Sequence, residues 1–280
     1  MAHILVVEGS HEGLVAKTQS GDFNGPAENY AAHLSALRSD LTFDIIRPAF
    51  SDAPQLDINT SLYDGYVFPG SGVAWSAAQP EAKSARDAME IALGTGKPVL
   101  GSCYGLHLGA VVLGGRVEAN PKGTELAIAR DIHLTSDGRD HALFENKPAR
   151  FDALCMHRDD CTKLPAGAVL LASNAHCAVQ AFGVETGGVQ FWGVQYHPEL
   201  EFSHIAGFIR RSDVDGFHQV AAFGAENQIE GLSSDQMQAD FDQLQHKPDD
   251  QELGAKYHLG ADLTDRTIHE AELINWVKLL

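Results

Sequence analysis

The apolar run Pro98-Val99-Leu100, the cluster Gly101-Ser102-Cys103-Tyr104-Gly105 and the stretch Leu106-His107-Leu108-Gly109-Ala110-Val111-Val112-Leu113 follow one another without a break. A short apolar run ending in glycine reads as a buried strand and the longer stretch as a helix, so the chain must turn sharply at Cys103. A turn this tight takes only small residues two positions to either side of its apex, because its strained backbone presses both flanks against neighbouring chain. The pattern therefore predicts a strand–turn–helix unit of an α/β sheet with a thiol at the helix N-terminus. There the free N–H groups and the helix dipole stabilise a thiolate, the nucleophilic form. Taken alone, the five residues fit a buried structural cysteine equally well, since free Cys is among the most buried residue types.

Farther along, Val189-Gln190-Phe191-Trp192-Gly193-Val194 reads as a strand, and Gln195-Tyr196-His197-Pro198-Glu199 follows at its C-terminal end, where open parallel sheets place their ligands. A cysteine nucleophile needs a base for its proton, and the base needs a carboxylate to fix its tautomer and orientation. His197 and Glu199 supply both, at the spacing that puts side chains on one face of an extended chain. A lone strand-end histidine is more often a satisfied structural residue. Elbow, histidine and carboxylate together, in a workable order, make Cys103, His197 and Glu199 the candidate catalytic residues.

With these residues in view, the chain resembles the class I (triad) glutamine amidotransferases over roughly residues 1–210. Gly65-Tyr66-Val67-Phe68-Pro69-Gly70-Ser71-Gly72 is similar to the family's oxyanion strand and loop, and Gly101–Gly105 to its nucleophile elbow. Met156-His157-Arg158-Asp159, followed by Leu164-Pro165-Ala166-Gly167 and Ala172-Ser173-Asn174, is similar to its substrate-contacting loop and the next strand. Gln195–Glu199 is similar to its base-and-carboxylate segment. The resemblance implies a doubly wound, mostly parallel, flavodoxin-like α/β sheet flanked by helices. It implies hydrolysis of a γ-glutamyl amide or glutamine through a thioester on Cys103, with backbone N–H groups of Gly70, Ser71, Gly72 and Tyr104 as oxyanion hole. Met156, His157, Arg158 and Asp159 become substrate contacts. A plainer role, that of shaping the turn, stays open for Gly70 and Gly72.

One residue departs from the family pattern. The fourth position after the nucleophile is usually Gln, a contact for the polar end of free glutamine, and here it is His107. A site built to hydrogen-bond one substrate handles its analogues poorly, so His107 as a substrate-binding residue points away from free glutamine. An inert role beneath the turn is the other reading. The chain also carries no recognisable nucleotide-binding module of a synthetase. Two functions follow: a free-standing hydrolase of γ-glutamyl amides, or a glutaminase subunit that feeds ammonia to a separate synthetase. A third, a non-enzymatic binding or regulatory module, would be favoured by a broken triad, and all three residue types are present.

The 280 residues, 44% hydrophobic, suffice for one large domain or one ordinary domain with an appendage. A formal net charge of −18 argues against nucleic-acid and anionic-membrane partners, which need a basic face. Four cysteines without a CxxC pair suggest reduced thiols and a cytoplasmic protein, and Met1 to Gly9 reads as a first buried strand, not a signal peptide. Gly94-Thr95-Gly96-Lys97-Pro98 lacks the first glycine and the hydroxyl of a phosphate loop and reads as a helix C-cap. Cys155, His157 and Cys161 lack a fourth ligand at usable spacing. Neither cofactor nor metal is expected.

Alternating strands and helices predict the same α/β sheet independently: a polar loop over residues 10–27, helices over Ala27–Arg38, Pro80–Leu93 and Glu199–Arg211, and short strands within residues 124–194. The catalytic domain is expected to span residues 1–212. Residues 213–280 form an acidic helical extension, with a capping box at Ser233-Ser234-Asp235-Gln236 ahead of Met237, Phe241 and Leu244. A last helix is expected over Thr267–Leu280, burying Ile268, Ala271, Ile274 and Val277. Packing against the catalytic domain is the simplest role for both helices; a lid or an intersubunit contact is the alternative.

Overall fold

The computed structural model describes residues 1–19, 24–51, 56–211 and 214–280, with backbone only at residues 211 and 214–217. The chain runs through β1 (His3–Val7), α1 (Glu12–Gln19), α2 (Pro26–Leu37), β2 (Thr42–Ile46), β3 (Gly65–Phe68), α3 (Lys83–Leu93), β4 (Pro98–Ser102) and α4 (Tyr104–Val112). There follow β5 (Arg116–Ala119), β6 (Glu125–Leu134), α5 (Ser136–Asp140), β7 (Arg150–His157), β8 (Asp159–Lys163), β9 (Val169–Ser173), β10 (Ala181–Val184) and β11 (Gln190–Val194). Helices complete it: α6 (Phe202–Arg211), α7 (Val214–Glu226), α8 (Ser234–His246), α9 (Gln251–Lys256), α10 (Ala261–Thr264), α11 (Arg266–His269) and α12 (Ala271–Val277).

The main sheet has the order β2-β1-β3-β4-β11-β10-β9-β6-β7. Its first five strands are mutually parallel and the rest antiparallel, so the sheet is doubly wound as expected. Alternation along β1 explains the two layers. Ile4 and Val6 face the core under α2 and α12, while Leu5 and Val7 face the core under α3 and α4. β4 and β11 pair in register, Val194 opposite Ser102. Both strands therefore end together, and the residues that follow, Cys103 and the Gln195–Glu199 segment, emerge side by side.

Several expectations change in detail. The loop over residues 10–27 contains α1, whose one buried residue is Val15; residues 20–23 lie outside the described residues. The helix expected from Glu199 starts at Phe202, leaving Glu199 in the turn after β11. Ser233 caps α8 by accepting from the Gln236 amide, but the Gln236 side chain bonds Asp240 rather than closing the box. The last helix breaks at Glu270, and its buried side carries polar His269, Glu270, Glu272 and Asn275, with Ile268 and Ile274 only half-buried. Those groups are paired: Glu272 accepts from the Tyr196 hydroxyl at 2.6 Å and binds Lys147 Nζ at 3.1 Å. The expected boundary at residues 212 and 213 lies outside the described residues. Beyond it, α8 to α10 share a core with β6, β7 and α6, and Leu273, Trp276 and Val277 of α12 enter the core of β1 and β4.

Candidate active site

Cys103 sits at φ 49°, ψ −102°, a strained conformation for a residue with a side chain. Its two glycine neighbours are dictated by contact. A Cβ on Gly105 would stand 1.9 Å from the Phe68 carbonyl oxygen, and one on Gly101 2.6 Å from the Gly105 carbonyl carbon. β3, β4 and the start of α4 are packed too closely for anything larger. The elbow is tied to its neighbour strand by the Cys103 amide, which donates to the Val194 carbonyl at 2.8 Å, and the thiol points at the Met156 carbonyl, 3.7 Å away.

A cavity of about 410 Å³ opens above the carboxyl ends of β1, β3, β4 and β11. Its wall includes Cys103, His197 and Glu199, the four residues Gly70, Ser71, Gly72 and Tyr104, and also His107, Met156, His157, Arg158 and Asp159. Thus every site residue expected from sequence borders one space. Among the residues missed are Ser10, Leu14, Lys17 and Thr18 in and before α1, Asn29 of α2 and Thr124 ahead of β6.

His197 Nδ1 and Glu199 Oε1 are 2.6 Å apart, so the ring donates from Nδ1 and Nε2 is left for a reacting group. Burial alone would push this imidazole down, yet the Glu199 carboxylate and the Cys103 sulfur outweigh it and raise it to about 10. The backbone around it is spare. A Cβ on Gly70 would lie 2.4 Å from His197 Cε1, so the glycine at this position lets the ring approach the loop. The Asn29 side chain donates to the Glu199 carbonyl at 3.3 Å, and the His197 amide donates to Leu154 O at 2.8 Å.

His107 meets both of its alternatives. It borders the cavity, but it is 4% exposed and its Nε2 lies 2.7 Å from Gln195 Oε1. Burial pushes it down to about 4, against the opposing hydrogen bond to Gln195, so it is a neutral donor held by the segment that carries His197. His157 is a different case. Its Nε2 lies 2.7 Å from Glu125 Oε2, and its Nδ1 lies 3.2 Å from both the Asp159 carbonyl and Asp160 Oδ1. Burial would lower it, but Asp160 and Glu125 raise it to about 10, an imidazolium with neither nitrogen left for a substrate. Arg158 is paired with Asp159 at 2.9 Å.

The other thiols are inert. Burial raises Cys161 to about 11 and likewise pushes Cys155 and Cys177 well above the ordinary thiol range. Among the described residues, His157, Asp160 and Cys177 bring three ligand-type atoms within 4.8 Å of one another. Each already has a protein partner: Asn120 donates to Asp160 Oδ2 at 2.5 Å, and the Cys177 thiol, kept protonated by burial, lies 3.3 Å from Val179 O. The donor set as it stands does not suit a cation. The glycine segment after α3 is a C-cap, as expected, and Lys97 bonds the carbonyls of Thr60 and Tyr63. No helix among the described residues is long and apolar enough to cross a membrane.

A doubly wound sheet with a cysteine at a strained strand-to-helix turn and a buried histidine–carboxylate pair at the next strand end has the fold and residue types of a thiol-dependent amidohydrolase. The family described as glutamine amidotransferase class-I matches residues 27–208, and the chain belongs to that family. It is 32% identical over 212 residues to the γ-glutamyl-L-1-hydroxyisopropylamide hydrolase of a Pseudomonas species, covering 75% of this chain and 71% of that protein. It is 33% identical over 121 residues to one subunit of the glutamine-hydrolysing GMP synthase of Methanocaldococcus jannaschii, covering 43% of this chain and 61% of that one. A glutamine amidotransferase structure from Methylobacillus flagellatus superposes with a TM-score of 0.62 at 18% identity, over 100% of this chain and 96% of the other, a likeness of fold.

Proposed function

We propose that the chain hydrolyses a γ-glutamyl amide. In this reading Cys103 attacks the amide carbonyl, and backbone N–H groups of Gly70, Ser71, Gly72 and Tyr104 take up the oxyanion charge. His197 passes the thiol proton to the departing amine, leaving a γ-glutamyl thioester on Cys103. Water deprotonated by His197 then releases glutamate, and Glu199 orients the imidazole and balances its charge throughout. The observation that carries the reading is the meeting of the strained Cys103 and the 2.6 Å His197–Glu199 pair at one cavity. Met156 and the main chain after it, with His107, form the wall against the γ-glutamyl group, and residues 213–280 are an extension packed on the catalytic domain.

Likeness to the hydroxyisopropylamide hydrolase across three-quarters of the chain supports an amine larger than ammonia as leaving group. A second reading, ammonia supply to a separate synthetase, draws on the GMP synthase subunit, of which the alignment spans 61%. Glutamate release by the isolated chain from glutamine and from γ-glutamyl alkyl- and arylamides separates them. The hydrolase reading expects partner-free turnover with the substituted amides ahead of glutamine. Activity on glutamine alone, and only with a synthetase added, would favour the second.

A further inference from the structure

Glu199 has two carboxylate oxygens, and only Oε1 is engaged, by His197; Oε2 is buried without a hydrogen-bond partner. An unmatched oxygen on a buried carboxylate is costly, so its surroundings carry information. They are supplied by the first turn of α2. Asn29 donates to the Glu199 backbone carbonyl at 3.3 Å, and the next residue, fully buried Tyr30, shares a hydrogen bond between its hydroxyl and Ser102 Oγ, with the Glu199 carboxylate as a neighbouring charge. Ser102 is the residue before the nucleophile. The turn itself is pinned from behind, where Glu8 Oε2 accepts from the Ala27 amide at 3.0 Å. One tyrosine hydroxyl thus bonds the residue before the elbow cysteine and feels the charge of a carboxylate whose second oxygen is unmatched.

We propose that Tyr30 is a positioning residue for the reaction: Ser102 donates its hydroxyl hydrogen to the Tyr30 oxygen, and Tyr30 donates its own to Glu199 Oε2. The carboxylate is then fixed at both oxygens, and the plane of the His197 ring is fixed with it. Burial and the facing Glu199 charge hold the phenol well above its ordinary range, so it remains a donor at every working pH. The inference rests on the γ-glutamyl hydrolase reading for its substrate but not for its geometry.

The test is a double-mutant cycle of Tyr30→Phe and Glu199→Gln, read by glutamate release from the best γ-glutamyl amide and by the rate at which iodoacetamide alkylates Cys103. Tyr30→Phe should lower kcat roughly 10- to 100-fold, the range for one hydrogen bond to a charged group, with KM little changed. In the Glu199→Gln background the same change should cost no more than about twofold. Alkylation should follow the same pattern. An equal loss in both backgrounds, or a loss confined to KM or to melting temperature, would overturn the proposal and leave Tyr30 as packing. If the wild type released no glutamate from any amide, the functional reading would fall, while the alkylation cycle would still decide the role of Tyr30. Should Tyr30→Phe fail to fold, Ser102→Ala must show a smaller loss of the same sign that vanishes beside Glu199→Gln, and an unchanged rate would refute the relay.

Discussion

Two buried histidine–carboxylate pairs have their histidines on the same cavity, and they look nearly alike. His197 and Glu199 are 2.6 Å apart, His157 and Glu125 2.7 Å, and both imidazoles are raised to about 10 against the effect of burial. They differ in what surrounds the pair. His157 spends both ring nitrogens on protein groups, and Glu125 is further bound by Asn174 at 2.6 Å and Gln180 at 2.8 Å. His197 spends only Nδ1 on its carboxylate. Strength of pairing therefore does not distinguish the proton carrier of the proposed mechanism from a strut; an uncommitted nitrogen does.

The largest effect expected from this contrast is at His197. His197→Ala should lower kcat/KM about 10⁴-fold, as for loss of a triad base, with the fold intact by circular dichroism. His157→Gln, measured in parallel, should retain far more activity, and equal losses would erase the distinction. Glu199→Gln should cost less, about 10²- to 10³-fold in kcat, because an orienting group contributes less than the base it orients. A larger loss there than in His197→Ala would reverse the two roles.

Glu125→Gln breaks the other pair and strands a buried charge, so the expected loss is in folding, about 3 kcal/mol by urea titration. His107→Gln should shift preference toward free glutamine over substituted amides by about 1–3 kcal/mol in relative kcat/KM, the range for one buried polar match. An unchanged ratio would reduce His107 to a brace for Gln195.

The His157–Glu125 pair is also open to a test by pH dependence. His157 keeps its proton to about 10 in the folded chain, against an ordinary 6.5 once unfolded. Its contribution to stability is then complete below pH 6.5 and drains away as the pH rises toward 10. Urea midpoints across that window should fall more steeply for wild type than for His157→Gln. Parallel slopes would mean that His157 is neutral in the fold.

What was legible in the sequence was local. The elbow declares itself because Gly101 and Gly105 are forced by contacts within one strand–turn–helix unit, and His197 and Glu199 lie two residues apart. What depends on register was hidden. Glu125 meets His157 only because they are cross-strand partners in the β6–β7 hairpin, and Gln195 reaches His107 across the β4–β11 boundary. α1 escaped notice because Glu12–Gln19 buries only Val15 and shows no apolar stripe. The break in the final helix was masked for the opposite reason: an apolar stripe was present, but polar Glu272 and Asn275 are buried beside Leu273, Trp276 and Val277 and bond the neighbouring chain.

Rapid quenching of the isolated chain with a γ-glutamyl alkylamide, followed by mass spectrometry of the intact protein and its peptides, tests the central claim most directly. The account predicts an adduct of one γ-glutamyl group on the peptide bearing Cys103, absent in Cys103→Ser and retained when Cys155, Cys161 and Cys177 are replaced. Undiminished turnover by Cys103→Ser, or an adduct on any other residue, would contradict it.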